Sequence, residues 1–173
     1  MRFISRLFRR IISFVLLLIC IFGILYLVPL TERVDTNGLE ADAVWMSRIP
    51  DETRLNEITL PGTHQSASQF TQIPFFFKCQ GCSIKSQLTS GFRFLDLRLA
   101  VDAGETGARL KCMNSLADCL TEAMPNSSKL YLEDVLSQCY SFLDEHPTET
   151  VLVSVKQERG SESAADFERL LFN

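Results

Sequence analysis

Hydrophobic residues follow three different rhythms along this chain, and each predicts a different kind of element. From Ile11 to Leu30 the sequence runs 20 residues without a charge. At a rise of ~1.5 Å per helical residue, such a run matches the ~30 Å hydrocarbon core of a bilayer. Farther along, Ile58-Thr59-Leu60, Phe92 to Leu99 and Val151-Leu152-Val153-Ser154-Val155 are short apolar or alternating runs that predict strands, the first ended by Pro61-Gly62. The last is rich in β-branched residues, as a buried parallel strand should be. Arg109 to Met113 predicts a further, weaker strand. Leu132, Val135, Leu136, Cys139, Phe142 and Leu143 recur at helical spacing ahead of Pro147, which predicts an amphipathic crossover helix. Ser161 or Ser163 is placed to cap a last helix carrying Ala164, Phe167, Leu170 and Leu171. Strands alternating with helices predict a parallel α/β architecture, with no internal repeat or low-complexity tract.

Charge orients the apolar run. Arg2, Arg6, Arg9 and Arg10 precede it, and basic residues stay on the cytoplasmic side, so the rest of the chain is expected outside the cytoplasm. A cleaved signal peptide is the alternative. Its apolar core would be about 7 to 15 residues with small residues at the cut, and Tyr26-Leu27-Val28-Pro29-Leu30 offers no such site, which favours an uncleaved anchor. The predicted organisation is a basic cytoplasmic end (1–10), a transmembrane anchor (11–30), a polar linker (31–44) with Asn37-Gly38 as a turn signal, and one domain (45–173).

The 173 residues carry a net charge of −4. Without the four N-terminal arginines, 13 basic residues face 21 acidic ones, about −8, which argues against a nucleic-acid partner. It also leaves attachment to an anionic lipid surface to the tether. Cys20 reads as apolar filling within the anchor. For Cys79, Cys82, Cys112, Cys119 and Cys139, an oxidising compartment makes a disulfide the expectation ahead of a metal site, since Cys79-Gln80-Gly81-Cys82 lacks a second pair of zinc ligands. Phe75-Phe76-Phe77 is expected to face the core rather than a membrane, and Asn126-Ser127-Ser128 is a glycosylation sequon.

Candidate chemistry gathers at the predicted strand ends. Residues two apart on a strand share a face, so Phe94, Asp96 and Arg98 point one way and Arg93, Leu95, Leu97 and Leu99 the other. Ser154 and Lys156 share a face likewise. His64 follows a strand end in a Gly-containing turn, and a lone histidine there is usually a hydrogen-bonded loop residue. Together with Asp96, Arg98 and Lys156 it makes a catalytic constellation.

The ordered blocks Trp45-Met46, Pro61-Gly62-Thr63-His64, Gln87-Leu88, Gly91-Phe92-Arg93, Asp96-Leu97-Arg98, Leu132-Glu133-Asp134-Val135-Leu136, Phe142-Leu143, His146-Pro147-Thr148-Glu149-Thr150 and Lys156-Gln157-Glu158 resemble the X region of bacterial-type phosphatidylinositol-specific phospholipase C. The resemblance implies a TIM-type (β/α) barrel, of which this chain would hold about the first half. It implies cleavage of phosphatidylinositol to diacylglycerol and an inositol cyclic phosphate. His64 matches the general base, Arg98 the arginine that stabilises the phosphoryl oxygens, and Asp96 the residue that orients it. Lys156 would line the inositol pocket with Gln65. No cofactor is implied, and no metal, since Arg98 stands where calcium-using members carry acidic ligands.

Two departures bear on activity. The general-acid histidine of the family falls on Asn114, and Gln65 replaces the acid that usually follows the catalytic histidine. Losing a general acid typically costs ~10² to 10⁴ in rate. His146, ahead of Pro147, matches a structural histidine instead. The implied partners are a membrane phospholipid and a second half-barrel chain. The rival expectations are an inositol-phosphate-binding module without turnover and a gene fragment. Glycerophosphodiester phosphodiesterases share the barrel, but their acidic metal ligands cannot be assembled from this sequence.

Overall fold

The computed structural model describes residues 2–27, 42–104, 107–125 and 127–172. The end of the apolar run (28–30), the linker through residue 41 and Asn126 of the sequon lie outside the described residues. Helix α1 (Arg2–Leu27) starts upstream of the uncharged run and includes its arginines. The stretch Arg6–Ile24, with a mean hydropathy of 2.4 and none of it buried, is long and apolar enough to cross a membrane, a test that a signal sequence also passes.

The rest is built on one short and one long strand. Strand β1 (Gly62–Thr63) is followed by helices α2 (Pro74–Phe77) and α3 (Ile84–Thr89), then by the long β2 (Phe94–Gly104). Strands β3 (Gly107–Asn114) and β4 (Ala117–Asp118), helix α4 (Leu132–Glu145), strand β5 (Leu152–Arg159) and helix α5 (Ala164–Leu171) complete the order. Strand β2 takes β1 and β5 as parallel neighbours on its two sides, and β3 as an antiparallel one farther along.

The periodicity expected for β2, α4 and α5 is realised. Strand β5 pairs parallel to β2 as expected but is not the buried strand its β-branched residues suggest: none of its residues is buried, and Val153 is 37% exposed. Leu95, Leu97 and Leu99 are fully buried against Val135, Cys139 and Phe142 of α4, in one core. Ser163, not Ser161, caps α5 by accepting from the Asp166 amide. Three expectations are corrected. Ile58-Thr59-Leu60 is not a strand: residues 55–57 form a 3-10 turn, and pairing begins only at Gly62, where the chain comes alongside Phe94. The Pro61 carbonyl takes the amides of Arg93 and Phe94 at 2.9 and 3.2 Å, and a Cβ on Gly62 would lie 3.1 Å from Phe94. Second, the sheet is not wholly parallel: with only two residues between β2 and β3, the connection can form only a hairpin. Third, Phe75 and Phe76 of α2 do not face the core. They are 54% and 60% exposed, their rings edge to face at 5.0 Å.

The expected disulfide is also absent, since all six cysteines are free thiols. Cys112, Cys119 and Cys139 serve as apolar filling under the sheet. Burial pushes the Cys119 thiol up to about 12 and that of Cys139 to about 11.

Candidate active site

The site lies on the face of β2 that turns away from the core. Asp96 and Arg98 project there, next to Ser154 and Lys156 of β5 in the paired register. His64 arrives from the turn after β1, which is fastened to β2 by two bonds, Ser66 N–H to the Asp96 carbonyl at 2.9 Å and Asp96 N–H to Ser66 Oγ at 2.8 Å. Buried Gln87 holds the turn from below. It accepts from the Thr63 hydroxyl at 2.7 Å and donates to the Ser66 carbonyl at 2.9 Å. The backbone at Gln65 is forced into the left-handed region, at φ +50°, a conformation that costs a non-glycine residue of order 1 kcal/mol and marks a constrained site.

Asp96 is the hub. One oxygen accepts from Arg98 Nε at 3.0 Å, and the other lies 2.9 Å from His64 Nδ1 and 3.4 Å from the Gln65 amide. Burial pushes this carboxyl up. The Arg98 hydrogen bond and charge, the Gln65 amide and His64 outweigh that and hold it below its usual value, so it is ionised. An ionised Asp96 can only accept, so His64 Nδ1 carries a hydrogen toward it, and Nε2 is the ring nitrogen that Asp96 leaves unengaged. The imidazole is 69% exposed, against 18% for the Asp96 side chain, so the ring is accessible and its support is not.

Arg98 is held from both sides. Its other arm donates to Glu158 Oε2 at 3.0 Å, and Lys156 Nζ donates to the same oxygen at 3.1 Å. The hydrogen bonds that Arg98 donates to Asp96 and Glu158 raise its pKa further. Burial acts against ionisation of Glu158, but Arg98 and Lys156 hold its value low. Glu158 reaches Arg98 where the β2–β5 register shifts, at Leu99 and Ala100, and an irregularity of that kind re-aims a side chain. A cationic fork and an ammonium thus stand beside the imidazole, a layout that suits a phosphoryl group.

Of the residues singled out from sequence, His64, Asp96, Arg98 and Lys156 form one bonded group, and Gln65 and Asn114 form a second branch. Gln65 Nε2 donates to Asn114 Oδ1 at 3.0 Å, and Asn114 Nδ2 donates to the Phe77 carbonyl at 2.8 Å and to Cys79 Sγ at 3.3 Å. Gln65 is 5% exposed, so it braces the site rather than meeting a substrate directly. His146 caps α4 and packs on Phe142 at 4.7 Å, on the core side of the sheet. Among the described residues no three His, Cys, Asp or Glu side chains are disposed to hold a metal. Sequence reasoning missed Glu158, Cys79 and Gln80, whose amide donates to the His64 carbonyl. For Glu158 a signal existed, since it stands two residues beyond Lys156.

No protein-family model matches the sequence. The chain is 28% identical over 128 residues to a 1-phosphatidylinositol phosphodiesterase of Listeria monocytogenes, and 28% identical over 126 residues to one of Staphylococcus aureus. It spans about a third of the length of these curated relatives, 35% in each case, while the match takes in 71% and 69% of this chain. Among solved structures, phosphatidylinositol-specific phospholipase C of S. aureus superposes with a TM-score of 0.60 at 23% identity, covering 78% of this chain and 44% of that one. The Listeria monocytogenes phosphatidylinositol-specific phospholipase C gives 0.58 at 26% identity, covering 75% and 43%. The fold is consistent with a partial barrel. In both sequence and backbone, this chain is similar to the bacterial phosphatidylinositol-specific phospholipases C that its blocks resemble.

Proposed function

We propose that this chain is a membrane-tethered phosphoric diester hydrolase that cleaves phosphatidylinositol to diacylglycerol and an inositol cyclic phosphate. The observation that carries the reading is the row Lys156–Glu158–Arg98–Asp96–His64, each member bonded to the next, with the imidazole outermost. His64 Nε2 takes the proton of the inositol 2-hydroxyl, and that oxygen attacks the adjacent phosphorus. The bond from phosphorus to the glycerol oxygen breaks as Arg98 neutralises charge on the phosphoryl oxygens. Asp96 fixes the His64 tautomer and stabilises the imidazolium that forms. Lys156, with 60% of its side chain exposed, is free to meet inositol hydroxyls or phosphate.

In this reading residues 11–30 anchor the chain, residues 1–10 stay in the cytoplasm, and the linker 31–44 holds residues 45–173 outside. The exposed Phe75 and Phe76 add an apolar contact with lipid at the rim near Asn114. A second half-barrel chain would add its strand to the outer edge of β5, which among the described residues pairs only with β2.

The test is release of inositol cyclic phosphate from phosphatidylinositol vesicles by the full chain and by His64→Ala. The substitution is expected to lower turnover by ~10² to 10⁴, as loss of a general base does. Equal turnover by both proteins would remove His64 from the mechanism. Saturable binding of inositol phosphate without turnover by either protein would favour the binding module.

A further inference from the structure

The proposed cleavage expels an alkoxide, which needs a proton, and the position of the expected acid is Asn114. Its amide cannot serve. One hydrogen is committed to the Phe77 carbonyl and the other to sulfur, and its oxygen accepts from Gln65. That leaves Asn114 fully satisfied, with both amide hydrogens directed at fixed partners.

Cys79 is the partner that can give up a proton. We propose that the Cys79 thiol is the general acid of this site, with Asn114 as its positioning residue. The inference rests on the phosphodiesterase reading above. Cys79 is an exposed residue whose Sγ lies 3.3 Å from Asn114 Nδ2, next to the position that the resemblance gives to the acid. Among the described residues the only other polar contact of its sulfur is a long one of 3.9 Å to the Phe77 carbonyl, which a substrate oxygen can replace. It belongs to the bonded framework that carries the base, since Asn114 accepts from Gln65, whose own amide reaches Asp96. Two further bonds hold the segment: the Cys79 amide donates to Ser68 Oγ at 3.2 Å, and Gln80 donates to the His64 carbonyl. An amide hydrogen aimed at sulfur stabilises the thiolate left after proton transfer.

The two cations of the site are poorer donors for this step. A guanidinium does not give up its proton, and the Lys156 ammonium is engaged by Glu158 at 3.1 Å. The step balances. The 2-hydroxyl proton goes to His64 Nε2, the oxygen–phosphorus bond forms, and the electron pair of the breaking bond goes to the glycerol oxygen. That oxygen takes the Cys79 proton, which leaves imidazolium and thiolate. Once the cyclic phosphate leaves, the imidazolium passes its proton through water to the thiolate, restoring both groups.

The test compares two leaving groups, with the full chain and reductant present. Phosphatidylinositol needs a protonated leaving group, and a 4-nitrophenyl ester of inositol phosphate does not. Cys79→Ala and Cys79→Ser are expected to lose ~10² or more on phosphatidylinositol and less than about tenfold on the nitrophenyl ester. The serine variant keeps a small polar group against Asn114 but is a far weaker acid, so it separates proton donation from positioning. Equal losses on both substrates, or a serine variant that retains phosphatidylinositol turnover, would overturn the assignment and leave the phosphodiesterase reading standing. A wild-type chain that turns over neither substrate would remove that reading, and this one with it.

Discussion

Arg93 and Arg98 lie on opposite faces of one stretch of chain, and burial gives them opposite roles. Arg93 is fully buried and donates twice to Glu149, at 2.9 and 2.7 Å, as well as to the Leu88, Phe92 and Ala43 carbonyls. It lies over Phe142 and beside Trp45, whose ring N–H reaches the Gly91 carbonyl at 2.8 Å, a turn that needs φ +98° and hence glycine. The pair clamps the start of the domain onto the sheet. Taking away one partner of a buried pair strands a charge, at a cost of ~3–5 kcal/mol, whereas replacing both with apolar residues is often near neutral. Glu149→Ala is therefore expected to destabilise by about 3–5 kcal/mol in denaturant titrations followed by Trp45, the single tryptophan. The double replacement Arg93→Met with Glu149→Leu should recover most of the loss. Arg98, by contrast, keeps 21% of its side chain exposed, and its ion pairs with Asp96 and Glu158 hold it on the open face of the sheet.

At the scale of elements, α2 departs most from its expected place. A run of three phenylalanines reads as core by composition, yet a helix of four residues has no room to bury all of them, and Phe75 and Phe76 turn outward. A Trp placed at residue 76, in a chain whose own tryptophan has been replaced by Phe, is expected to be quenched by brominated acyl chains when the protein is anchored in vesicles. Emission unaffected by bromine would show that the pair faces water or protein. The β2–β3 hairpin departs for a different reason. Alternation specifies which face a residue occupies, but not which neighbour the strand chooses.

For the molecule as a whole, the proposed orientation across a membrane rests on arginines and an apolar run that act independently of the fold. In sealed vesicles with the cytoplasmic side inward, external protease is expected to digest the segment after residue 30 and spare the N-terminal ten residues. The reverse pattern would invert the proposed topology. The site was legible where local rules suffice: the shared face of Asp96 and Arg98, the turn that carries His64, and Lys156 on the neighbouring strand. What stayed hidden came together from distant segments. Asn114 and Cys79 are 35 positions apart, Gln65 and Asn114 are 49 apart, and Arg98 and Glu158 are 60 apart. The sequence by itself determined the long apolar N-terminal helix, the amphipathic α4, the capped α5 and the face of each strand, because each depends on periods of two to four residues or on an unbroken apolar length. Only the tertiary structure decided which strands pair, which cysteines are buried, and that an exposed cysteine, Cys79, sits beside Asn114. Those outcomes depend on chain closure over tens of residues, for which a linear pattern carries no metric.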